Sequence, residues 1–143
     1  MKKLNYLILP ELSLIIEYYS GAFHADELID FKRKIGMDEK YDPNYNVISD
    51  IRELSFLFEI DEVQKYMEFI AKNKRYIGAR KTAMITSTPS QVVTSLKFNL
   101  LKTNLPIVLD VFSIPETAYA FIGLSSDDAE MVDNLLDKLR NEF

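Results

Sequence analysis

The sequence predicts a single-domain α/β sandwich: an N-terminal hairpin, then β-α-β crossovers, giving about a five-stranded mixed sheet with helices packed on it. Three observations carry this. Alternating apolar residues divided by a turn signal define two opening strands. Start and stop residues then bracket a series of helices between further apolar runs. Finally, 143 residues with 48% hydrophobic content suit one continuous core, so residues 1–143 are read as one domain.

The elements follow in order. Leu4, Tyr6 and Ile8 alternate along the first strand, and Leu12, Leu14, Ile16 and Tyr18 along the second, with Pro10 and Glu11 as the break. Gly21 is expected to end this hairpin. Asp26 and Glu27 suit a first helical turn because they face the positive end of the helix dipole. Leu28, Phe31 and Ile35 continue at helical spacing, and Lys32, Arg33 and Lys34 lead to Gly36 as the expected left-handed cap. YDPNYN (Tyr41–Asn46) reads as a loop into a strand at Val47–Ile51. A second helix is expected from Asp61, whose carboxylate can cap an orphan N–H with Gln64 in the reciprocal position. Its buried face is Val63, Met67 and Ile70, and Lys72, Lys74 and Arg75 end it.

Thr82–Ile85 is the fourth strand. Thr88, Pro89 and Gln91 supply the cap, first-turn proline and capping-box residue of a third helix with Val92, Leu96 and Leu100 on its apolar face. Ile107–Phe112 is nearly continuously apolar, as a strand buried on both faces requires. Ser113-Ile114-Pro115-Glu116 then starts a short helix that Gly123 stops, and a last helix opens near Ser125 with Met131, Leu135 and Leu139 in one stripe.

Composition excludes several chemistries. A net charge of −5 argues against a nucleic-acid partner, which needs clustered cationic surface. The absence of cysteine removes disulfides, thiolate metal sites and a cysteine nucleophile. Pro10, Glu11 and Glu17 interrupt the N-terminal apolar run, so it reads as mature structure rather than a signal peptide, and the expected location is the cytoplasm. His24 is the one histidine, and no G-x-S-x-G turn presents a nucleophile. The glycines Gly21, Gly36, Gly78 and Gly123 are too dispersed to form a phosphate-cradling loop. Asp26-Glu27, Asp61-Glu62 and Asp127-Asp128 all fall at helix starts, where the dipole explains them. The cationic run KNKRYIGARK (Lys72–Lys81) offers an anion or acidic-lipid patch, although a helix C-terminus also favours such cations. No catalytic residue, metal or cofactor is therefore expected.

Asp50 stands out because it closes an apolar strand, where open α/β sheets place ligands beside a topological switch. A receiver-type phosphoacceptor would also need an acid pair after the first strand and a lysine after the last. Leu9-Pro10-Glu11 and Val111-Phe112-Ser113 supply neither. The plain alternative is that Asp50 binds local N–H groups or pairs with Arg52.

The segments LIIEYYSG before the first helix, VISDIRELSF at the third strand and the terminal VFSIPETAYAFIGL resemble the STAS-like domains, the anti-sigma-factor-antagonist-like group. The resemblance implies a non-enzymatic bacterial regulatory or interaction module, on a fold related to the lipid-binding CRAL-TRIO domains. In switching members, a strand-ending Asp is followed by an Asp-Ser-Ser-Gly motif whose serine is phosphorylated. Asp50 matches the first Asp and Asp61 the second, but Glu62-Val63-Gln64 offers neither hydroxyl nor glycine. No phosphoswitch is expected there, and Ser55 is the one hydroxyl in the intervening segment. The first functional expectation is thus a protein-docking surface over the Arg52–Val63 loop and the second helix, suggested also by the apolar cluster Leu54, Phe56, Leu57 and Phe58, and involving Asp50, Arg52, Ser55, Phe56, Phe58, Asp61 and Glu62. The alternative is a cavity for a small apolar ligand or lipid, lined by Phe or Tyr. A homodimer is compatible with either.

Overall fold

The protein is described by a computed structural model covering residues 2–59, 61–102 and 105–142. The sheet opens with β1 (Lys3–Leu9) and β2 (Leu14–Phe23), paired antiparallel around a 3-10 turn at Pro10–Leu12. Then come α1 (Ala25–Gly36), β3 (Asn46–Phe56), α2 (Glu62–Lys72), β4 (Arg80–Ile85), α3 (Pro89–Leu101), β5 (Ile107–Phe112), α4 (Pro115–Ile122) and α5 (Ser126–Asn141). Strand order is β1-β2-β3-β4-β5, with β2 to β5 parallel, so the expected five-stranded mixed sheet forms.

Sequential strand order sends every crossover the same way, and α1, α2 and α3 pack side by side on one face. The strands therefore never reverse their order of addition, and the topological switch invoked for Asp50 does not exist. On this face Ile15, Tyr19, Val47, Ile51 and Met84 meet Leu28, Phe31 and Ile35 of α1. The opposite face, built on Leu14, Ile16, Tyr18, Ile48 and Ile85, is closed by Tyr119 and Ile122 of α4 and Val132, Leu136 and Leu139 of α5.

Several local expectations are corrected. Gly21 lies inside β2 with φ 111° instead of ending it, and a Cβ there would meet Lys2 at 3.0 Å. Gly36 is the last residue of α1, followed by right-handed Met37 at φ −92°. Its role is clearance, because an added Cβ would lie 2.5 Å from the Tyr76 ring. β3 continues past Ile51 to Phe56, since β2 goes on pairing with it up to Phe23–Phe56. Asp50 thus sits inside a strand, and about half of the expected loop is strand.

Both later amphipathic helices are rotated from their expected faces. α3 buries Gln91, Ser95 and Phe98 and leaves Leu96 and Leu100 exposed. α5 buries Val132 and Leu136 where Met131 and Leu135 were expected, while Leu139 is buried as predicted. β5 is an edge strand with Val108 exposed, because α4 lies mainly over β4. Asp61 holds the N-cap position of α2 without a side-chain cap bond; instead Glu62 accepts from the Glu59 N–H at 2.8 Å. At α4 the cap position falls on Ile114 rather than Ser113, and Gly123 stops the helix at φ 93° as expected.

Candidate functional site

A charged residue stands in the middle of β2. β2 has a strand on each side and a helical layer on each face, so its alternating residues are buried both ways. Glu17 falls between Ile15 and Tyr19 on the α1–α3 face and is 1% exposed. An isolated carboxylate there is costly, and the fold surrounds it with donors. Lys32 reaches down from α1 to both carboxylate oxygens at 2.7 and 2.6 Å. The Tyr19 hydroxyl donates at 2.7 Å and the Ser49 hydroxyl at 2.8 Å. Ser49 is the register partner of Glu17 across the β2–β3 pair, so parallel pairing delivers it to the same face. Burial pushes the Glu17 carboxyl up, but the Lys32 charge and these hydrogen bonds outweigh it and hold the group below the usual carboxylate range. Burial, together with the Glu17 charge, raises the Tyr19 hydroxyl well above its ordinary value.

Beside this cluster is a cavity of about 100 Å³ between the sheet and the helices. Ile15, Val47, Met84 and Leu109 form its sheet wall; Ile35, Met67 and Ile70 come from α1 and α2, and Phe98 from α3. Tyr41, Tyr66, Tyr76, Arg80, Thr82 and Lys102 bring polar atoms to this largely apolar lining, which Glu17, Lys32 and Ser49 of the cluster complete. Arg80 donates from Nη2 to the Asp42 carbonyl at 2.9 Å, and its guanidinium lies 5.6 Å from the centre of the Tyr41 ring. The Arg80 Nε and the Tyr41 hydroxyl are buried and have no hydrogen-bond partner among the described residues. Burial raises the Tyr41 hydroxyl's pKa, with the Arg80 charge pulling the other way. Buried polar atoms are nearly always paired, so two together beside a cavity mark a place suited to a ligand.

The sequence did not single out this site. Glu17 served only as an interruption of an apolar run, and Lys32 only as a C-terminal helix cation. The legible signal was a charge at period two between Ile15 and Tyr19 in a strand otherwise apolar on both faces, which demands a buried partner.

The residues singled out earlier are not gathered into one surface. Asp50 is fully buried on the opposite face, in a bidentate pair with Arg52 at 2.9 and 2.8 Å and within 3.4 Å of Arg140 from α5. This is the Asp50–Arg52 pairing that the strand geometry suggested. The hydrogen bond to Asp50 raises the Arg52 pKa. Register slips here, Tyr18 facing Asp50 while Ser20 faces Glu53. The extra residue lets Arg52 and Glu53 act together: Glu53 accepts from the Tyr18 hydroxyl and pairs with Arg140 at 3.2 Å.

Ser55 is exposed, as is Asp61. Phe56 and Phe58 turn inward, with ring centroids 5.9 and 6.1 Å from that of Phe98, and cover the core near the cavity. Glu62 holds the Glu59 N–H and lies 3.7 Å from His24. Thr86, just after β4, is buried and its hydroxyl donates to the Phe112 carbonyl at 3.4 Å. Among the described residues, no group of three or more His, Asp or Glu side chains is placed to hold a metal ion, and no helix is long and apolar enough to cross a membrane.

No protein-family model matches the chain, and no curated protein matches it. Among solved structures it is similar to an uncharacterised protein of the DUF3478 family from Shewanella loihica PV-4, which has a SpoIIAA-like fold. The match has a TM-score of 0.57 at 13% identity and covers 85% of this chain and 95% of that one. It establishes a SpoIIAA-like, that is STAS-like, fold, as the sequence resemblance implied.

Proposed function

We propose that the protein is a non-catalytic module that binds a small molecule in the cavity between its sheet and α1–α3. The supporting observation is the cavity itself: an apolar chamber of about 100 Å³ beside the unpartnered Arg80 Nε and Tyr41 hydroxyl. An engineered apolar cavity of roughly 150 Å³ suffices for benzene, so a chamber of this size suits a ligand of a few carbons and not a long acyl chain. Docking through Arg52–Val63 has less support, because Phe56 and Phe58 pack against Phe98 and Tyr66 and Leu54 is buried, so that Leu57 is the exposed member of that apolar cluster. Catalysis has little support too, since Ser49 donates to a carboxylate held ionised and therefore weakly basic. The alignment of Asp61 and Glu62 with a family phosphosite adds no switch here, for Glu62 brings no hydroxyl.

Native mass spectrometry of protein purified from its own cells tests this reading. The expected result is a small bound mass that disappears on denaturation and is missing from an Ile70→Trp variant whose indole fills the chamber. Equal native and denatured masses, together with unchanged ligand response in the variant, would count against it.

A further inference from the structure

We infer that the cavity selects a small monocarboxylate, its head held by Arg80 and the Tyr41 hydroxyl and its apolar body among Met67, Ile70 and Leu109; this rests on the cavity being a ligand site. The inference comes from what each polar group still has to offer. Glu17 already accepts bonds from Lys32, Tyr19 and Ser49, so its negative charge is matched and its oxygens are occupied. Arg80 is different. Among the described residues no carboxylate lies within ion-pair distance of it, and its Nη2 donates to the neutral Asp42 carbonyl. A guanidinium can only donate, and the Tyr41 hydroxyl beside it is also free to donate.

The lining therefore carries donors and excess positive charge, to which Lys102 adds. An acceptor with one negative charge complements this arrangement. A planar carboxylate matches the guanidinium fork, whereas a doubly charged phosphate would have to desolvate its second charge against an apolar wall. The volume of about 100 Å³ limits the whole ligand to roughly four or five non-hydrogen atoms, against the six of benzene in a cavity of roughly 150 Å³.

Isothermal titration with propionate and propan-1-ol, which share a tail and differ in head, reads the inference directly. Propionate is expected to bind at least about tenfold more tightly, a difference of about 1.4 kcal/mol. Arg80→Met should remove that preference while leaving the alcohol's affinity in place, and Tyr41→Phe should weaken propionate several-fold in a protein that keeps the Arg80 bond to Asp42. Equal binding of acid and alcohol would overturn the charge selection and leave the cavity reading standing. Absence of binding by both would overturn the two together, and propionate binding that survives Ile70→Trp would place the anion elsewhere and overturn the inference.

Discussion

Two residues carry most of the chemistry on the α1–α3 face. Glu17 and Lys32 form a buried pair, with side chains only 2% and 18% exposed, so removing one partner leaves a stranded charge. Glu17→Gln is expected to destabilise the fold by about 3 kcal/mol, as breaking a buried pair commonly does. The pH dependence has a definite sign. In the unfolded chain a glutamate titrates at about 4.3, and in the fold Glu17 sits lower. The unfolded state therefore takes up the proton first as pH falls, and stabilisation present above about pH 5 is lost as pH drops through the folded value. Urea denaturation across this range should show a steeper acid loss in the native chain than in Glu17→Gln. Gly36 gives a second test at this scale. An exposed helical Gly→Ala gains up to about 1 kcal/mol, but here the methyl meets the Tyr76 ring, so Gly36→Ala should lower thermal stability by about 1–3 kcal/mol. A stabilised variant would contradict this clearance role.

Among the elements, α3 best shows what was legible and what was not. Thr88, Pro89 and Gln91 located its start correctly, with Gln91 N–H bonded to the Thr88 hydroxyl at 3.2 Å. Its rotation was not legible, because an apolar count favours Val92, Leu96 and Leu100. Gln91 decides it: its amide donates to the Arg52 and Leu54 carbonyls at 3.1 and 2.9 Å, tying the helix to β3 by polar groups that hydrophobic periodicity ignores. Leu100→Lys should therefore change stability by no more than about 0.5 kcal/mol, whereas Phe98→Ala should cost about 3–5 kcal/mol. Chemical denaturation of both variants distinguishes this face from the apolar-count face. The underestimate of β3 has a similar cause. Arg52 and Glu53 look like loop residues, yet each finds charged partners around Asp50 and Arg140, and continued pairing with β2 keeps the segment extended. α2, by contrast, buries Val63, Met67 and Ile70 as its spacing predicted.

For the whole molecule, order and type of elements were readable because capping signals and strand alternation are local, and the SpoIIAA-like match agrees with them. The candidate site was not readable because it is assembled by register. Glu17 and Ser49 meet only when β2 and β3 pair in parallel, Lys32 arrives from a helix, and Arg80 and Tyr41 come from a strand and a loop far apart in sequence. Crossovers confined to one face create the three-helix layer over the sheet, and the chamber lies between them. The most direct test is methyl NMR during a propionate titration of the native chain. The account predicts saturable shifts at Met67, Ile70 and Met84 with Leu96 and Leu100 of the outer α3 face unmoved; shifts confined to that outer face, or none at the chamber methyls, would contradict it.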